Sequence, residues 1–295
     1  MNPLVKKLQG TGVAMVTPFK KDGAIDFLAL GRLTEFIVKN KCEYLVPLGT
    51  TGESVTLSAE EKIAILEFIK EKNNKRVPIV LGLGGNNTQE VINDFRKFNF
   101  KGVDAILSVS PAYNKPSQKG IFQHYRMIAG DSPVPVIIYN VPSRTSSNIT
   151  VETTLKLAHE VKNIIGVKEA SGNMEQCMFI IKDKPKDFLV ISGDDAITLP
   201  LIGAGADGVI SVLANAYPKI FSDMVRFALD NKFPKAQQLH YQLLDLIPLL
   251  FSEGNPAGIK CALSAKKICD QVLRLPLTPV SKNLEKVIKD FVKKN

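Results

Sequence analysis

The sequence predicts an α/β fold of one kind: a closed (β/α)8 barrel over residues 1–215, carrying a C-terminal helical appendage over 216–295. Three observations predict it. Short apolar runs alternate with helical patterns as far as about Asn215. Eight such β/α units fit into about 200 residues, which is the number that closes a parallel sheet on itself. After Val212 the apolar runs stop and only helical patterns remain. An open doubly wound sheet usually has fewer strands and a phosphate-binding glycine turn. The nearest candidate, Gly82-Leu83-Gly84-Gly85-Asn86-Asn87, lacks the third glycine and follows the third strand.

In order, Gly12–Thr17 reads as the first strand, and Asp26 caps a helix to Asn40. Tyr44–Leu48 is the second strand, and Ser58-Ala59-Glu60-Glu61 opens a helix as a capping box. Pro78–Gly82 is the third, with Thr88 capping a helix that runs to about Phe100. Asp104–Val109 is the fourth, with a helix from Ser117; Val134–Tyr139 is the fifth, with a helix over Val151–Val161. The sixth, Ile164–Lys168, is a β-branched run without polar alternation, as in a strand covered on both faces. A helix over Asn173–Lys182 follows it. Phe188–Ser192 is the seventh strand, with a short helix over Ala196–Gly203, and Gly208–Val212 is the eighth. Helices over Pro218–Asn231, Pro234–Phe251, Pro256–Ala265 and Lys282–Lys293 complete the chain, three of them starting with a proline at a first-turn position.

Composition narrows the function. At 45% apolar over 295 residues the chain can bury a large core. No window of 18 apolar residues reads as a membrane span, and Met1–Gly10 shows no apolar secretion segment. Cys42, Cys177, Cys261 and Cys269 lack metal-ligand or CxxC spacing, so free thiols in a cytoplasmic enzyme are expected. The net charge of +9 is spread along helix faces, without tryptophan or aromatic interleaving. That favours attraction of small anions over nucleic-acid binding.

In such a barrel the site is built from the carboxyl ends of different strands. Lys168 ends the sixth. It is either a surface residue just past the strand or an amine held dry, and a desolvated lysine amine becomes a nucleophile. Gly49-Thr50-Thr51-Gly52 after the second strand is either an ordinary turn or a cradle of N–H and hydroxyl groups for an anion. Tyr139 is a core tyrosine or a proton carrier, and Arg144 a surface charge or a clamp for a carboxylate. Asp194-Asp195 has no histidine near it in sequence, and no metal is expected there. His124, His159 and His240 fall in helical segments away from the strand ends, which argues against a histidine triad. Together the groups fit a Schiff-base reaction on a keto acid, needing neither metal nor cofactor.

At these residues the sequence resembles the dihydrodipicolinate synthase family, within the N-acetylneuraminate lyase superfamily of class I aldolases. The resemblance covers essentially the whole chain. It rests on Gly49-Thr50-Thr51-Gly52-Glu53-Ser54, Pro111-Ala112-Tyr113-Asn114-Lys115-Pro116, Tyr139-Asn140-Val141-Pro142-Ser143-Arg144-Thr145 and Gly166-Val167-Lys168-Glu169. It implies that Lys168 forms a Schiff base with pyruvate, whose carboxylate Thr50 and Thr51 hold. Thr51, Tyr139 and Tyr113 would form a proton relay, with Tyr113 reaching in from a neighbouring subunit. Arg144 would meet the carboxylate of L-aspartate-4-semialdehyde, and the backbone at Gly193 and Ile210 would line the pocket. A homotetramer, built as a dimer of dimers, and a place in lysine and diaminopimelate synthesis are implied too.

Ser146 stands where family members commonly have glycine. Ser54, Asn86 and Glu90 match the family's effector site, whereas Ala59, Lys62 and Ala112 replace the aromatic and histidine residues of lysine-inhibited members. Inhibition by lysine is therefore expected to be weak or absent, since stacking is lost and Lys62 repels a cation. A sibling aldolase, acting on N-acetylneuraminate or a 2-keto-3-deoxy-sugar acid, shares the lysine and tyrosine. Thr50-Thr51 and Arg144 favour the synthase. A barrel that merely binds keto acids would need no proton relay.

Overall fold

A computed structural model describes residues 3–295. Eight parallel strands follow the predicted order: β1 (Gly10–Ala14), β2 (Tyr44–Val46), β3 (Val80–Gly82), β4 (Ala105–Val109), β5 (Val136–Asn140), β6 (Ile164–Glu169), β7 (Leu189–Ser192) and β8 (Gly208–Ser211). Sequence neighbours pair throughout except β2 with β3, and β1 pairs with β8, so the ladder runs β2-β1-β8-β7-β6-β5-β4-β3. The ring is completed between β2 and β3 by a parallel bridge at Leu45 and Ile79. There Leu45 N donates to Pro78 O (3.0 Å) and Gly82 N to Pro47 O (2.9 Å). The fold is the expected (β/α)8 barrel with C-terminal helices.

The barrel is a filled core. Inward residues such as Val46, Leu107, Ile137, Ile191 and Ile210 pack together, and Val5 and Leu8 of the N-terminal segment pack into the same cluster. That segment's helix, Pro3–Lys7, has no counterpart in the sequence reading. Outward strand residues meet the helices in a second apolar layer. That layer continues into the chain beyond Asn215, through Phe221, Met224, Leu250, Ile259 and Ile288.

Local sequence accounts for most boundaries. Asp26, Ser117, Thr150 and Asn173 each cap a helix by accepting a backbone N–H, and Ser58 and Glu61 form the complete capping box. Several boundaries differ from expectation, among them the helix starting at Thr88, which stops at Asp94 rather than near Phe100. Asn87, rather than Thr88, caps the helix Thr88–Asp94, because its side chain accepts from both Gln89 and Glu90. β1 starts at Gly10, where pairing with Gly208 outweighs the poor strand propensity of glycine. The run 234–251 divides into Phe233–Leu244 and Leu246–Phe251. No helix among the described residues is long and apolar enough to cross a membrane.

Candidate active site

Parallel register places the central pair. Lys168 of β6 lies directly beside Tyr139 of β5 on one side and Ile191 of β7 on the other. Its side chain is 5% exposed, and its Nζ sits 4.3 Å from the centroid of the Tyr139 ring. Among the described residues the amine has no hydrogen-bond or ion-pair partner. The residue after it takes the opposite course. Glu169 is buried and its carboxylate accepts from Asn140 Nδ2 (3.0 Å), Ser171 N (2.8 Å) and Gln176 Nε2 (2.8 Å). Those bonds lock the ends of β5 and β6 together and leave the lysine free.

Lys168 opens into a cavity of about 370 Å³ at the carboxyl ends of the strands. Thr50, Thr51, Tyr139, Arg144 and Gly193 line it as well. Ile210 does not: it lies deeper, in the apolar barrel interior, and Val212 takes the wall position. The threonine loop is two short 3-10 turns, Thr50–Gly52 and Ser54–Thr56, hinged at Glu53 in the left-handed region (φ 53°). Thr17 Oγ1 donates to Gly52 O (2.6 Å), pinning the first turn. Thr51 is buried and its Oγ1 accepts from Asn255 Nδ2 (2.9 Å). Thr50 is exposed and, like Tyr139, borders a second cavity of about 290 Å³.

Arg144 is exposed at the rim, on a short helix Pro142–Thr145 that the sequence pattern does not predict. Ser146 closes that helix in the left-handed region (φ 56°), the conformation that glycine adopts freely. Tyr113 stands apart from the cavity, 92% exposed, on a left-handed backbone (φ 67°). Of the expected effector positions, Ser54 lines the second cavity along with Ala59 and Lys62. Asn86 and Glu90 are exposed outside it, with Asn86 Oδ1 accepting Ala112 N (2.8 Å). Asp194 and Asp195 serve the backbone. Asp194 Oδ1 accepts Ala196 N (2.9 Å), while Asp195 Oδ2 accepts the N–H groups of Val212 (3.2 Å) and Leu213 (2.8 Å).

An unpaired buried amine beside a tyrosine, facing hydroxyls and a guanidinium across a small cavity, suits covalent capture of a keto acid. Comparison with known proteins agrees. The model of the dihydrodipicolinate synthetase family matches residues 7–295. The chain belongs to that family. The 4-hydroxy-tetrahydrodipicolinate synthase of Flavobacterium psychrophilum is 51% identical over 96% of this chain and 97% of its own. The crystal structure of dihydrodipicolinate synthase from Aquifex aeolicus superposes with a TM-score of 0.94 at 41% identity, over 97% of this chain and 98% of that one. A structure described as a monomeric dihydrodipicolinate synthase variant gives 0.95 at 34% identity, over 98% of this chain and 97% of that one.

Sequence reasoning missed several residues that this dihydrodipicolinate synthase family member brings to the cavity from beyond the barrel. Ile247, Pro248, Phe251 and Asn255 all line it, from the helix Leu246–Phe251 and the turn after it, which carry no motif of their own. Glu53, quoted only as part of a motif, is fully enclosed with Lys260, Oε1 to Nζ at 2.5 Å. Lys260 also donates to Val272 O (2.8 Å) and lies 4.3 Å over the Phe19 ring. Burial draws its amine below the ordinary lysine range, opposed by the charge of Glu53.

Proposed function

We propose that the chain is a 4-hydroxy-tetrahydrodipicolinate synthase, a lyase that condenses pyruvate with L-aspartate-4-semialdehyde in lysine and diaminopimelate synthesis. The observation that carries the reading is the buried, unpaired amine of Lys168 beside the Tyr139 ring. In this reading the amine attacks C2 of pyruvate and the keto oxygen leaves as water, giving a protonated imine on Lys168. Loss of a C3 proton gives an enamine, which forms the new carbon–carbon bond to the aldehyde carbon of the semialdehyde. The product's own amine then displaces Lys168, closing the ring and freeing the enzyme.

Tyr139 carries protons at the dehydration and condensation steps, relayed by Thr51 and by Tyr113 of a neighbouring subunit. Thr50 and Thr51 hold the pyruvate carboxylate, with Gly193 in the wall, and Arg144 at the rim holds the carboxylate of the second substrate. A homotetramer built as a dimer of dimers accounts for Tyr113, whose side chain is otherwise an aromatic ring left in water. The cytoplasm is the proposed location.

The test is borohydride reduction in the presence of pyruvate, followed by peptide mass mapping and by turnover with both substrates. The adduct is expected on Lys168, absent in Lys168→Ala. An adduct on Lys260, or turnover by Lys168→Ala at the wild-type rate, sinks the assignment.

A further inference from the structure

We infer that Asn255 is a positioning residue for the reaction: from the C-terminal segment it fixes the Thr51 hydroxyl, on a loop that the Lys260–Glu53 pair holds in place. The inference rests on the proposed pyruvate site. Three sets of contacts carry it. Asn255 is 8% exposed and lines the cavity, and its Nδ2 donates to Thr51 Oγ1 at 2.9 Å across 204 residues of sequence. With one lone pair so occupied, the Thr51 hydroxyl proton must turn elsewhere, which narrows the directions in which Thr51 can donate. Asn255 Oδ1 has no partner among the described residues, so the side chain's single bond there is the one to Thr51.

Two residues after Thr51, Glu53 sits at the left-handed hinge with a side chain wholly out of water. Its Oε1 takes Lys260 Nζ (2.5 Å) and its Oε2 takes Arg274 N (3.1 Å). Arg274 goes on to hold Thr56 O (2.8 Å) and the Glu61 carboxylate (2.5 and 2.7 Å). The stretch from Thr51 to Glu61 is therefore fastened at several points to the segment 255–274. A buried ion pair contributes little to stability compared with apolar residues of the same volume, so what it gives here is one defined loop position. A side chain held to a fraction of an ångström is what anion capture by a hydroxyl needs.

The experiment is steady-state kinetics and borohydride trapping on Asn255→Ala, Thr51→Val and the double variant, each with a thermal melt. Loss of the bond is expected to raise the pyruvate concentration for half-saturation about tenfold, in turnover and in trapping alike. The value for the semialdehyde should change less than twofold, and the Lys168 adduct should still form at saturating pyruvate. Because Asn255 acts through Thr51, the double variant should be no worse than Thr51→Val alone. Additive losses, or an unchanged half-saturation in Asn255→Ala, overturn the inference. If Asn255→Ala does not fold, Asn255→Ser gives the same comparison. Absence of any adduct on Lys168 in the unmutated enzyme instead overturns the site reading on which this one stands, so the two failures are distinct.

Discussion

Two lysines among the described residues are buried, and their surroundings assign them different work. Lys260 has a carboxylate, a carbonyl and a ring around its ammonium. Lys168 has a ring and open cavity. Sequence alone separates them only weakly, through the strand end on which Lys168 sits; the enclosure of Lys260 depends on Glu53, more than 200 residues earlier. Asp195 shows the same dependence on distant groups. Burial pushes its carboxyl up to about 6, opposed by hydrogen bonds from the Ser211 hydroxyl and from the N–H groups of Val212 and Leu213. An acid whose folded pKa is raised stabilises the folded chain most at low pH, and stability falls as pH climbs from about 4 to about 6, then levels off. Asp195→Asn removes that slope. Urea midpoints at pH 4.5 and 7.5 should therefore move in favour of the variant, relative to wild type, at the higher pH; movement the other way contradicts the buried-acid account.

At the scale of elements, β6 is the one whose position matters most, and glycine sets it. A Cβ on Gly166 would lie 2.7 Å from Leu189 Cβ and 2.8 Å from Leu189 O, so β6 and β7 approach only because that atom is missing. Gly166→Ala is expected to cost about 1–3 kcal/mol in denaturant melts and to lower turnover by displacing Lys168, two residues on. An unchanged melt and turnover would show that the strands can part without consequence. The strands were legible because apolar runs bounded by turn residues need no knowledge of their partners. The caps at Asp26 and Ser58 were legible for the same reason, since each bond spans three residues. What escaped was set by tertiary context. Thr88 and Asn87 are both good caps, and only the backbone extension at Asn87 (φ −106°, ψ 111°) decides between them. The helix Pro142–Thr145 is too short to show a period.

For the whole molecule, the candidate site was legible on the barrel and illegible beyond it. Lys168, Tyr139, Thr50, Thr51, Arg144 and Gly193 converge because strand ends in a barrel must converge. Asn255 and Phe251 join them only once the C-terminal helices have packed. Tyr113, 92% exposed, marks the surface on which a second copy is proposed to sit. Sedimentation of the purified protein should give a tetramer, and Tyr113→Phe should keep that assembly while losing most of its turnover. A monomer with full activity would remove Tyr113 from the relay. The ring itself has one junction unlike the rest. Pro47 and Pro78 stand on either side of it, and neither has an N–H to give, so β2 and β3 are joined by one bridge where other neighbours share a ladder. The amides of Leu45 and Gly82 are thus the place where deuterium should enter the barrel first, and the threonine loop hangs from that same edge. Breathing of this seam is a motion that a bound keto acid, gripping the loop, would quieten.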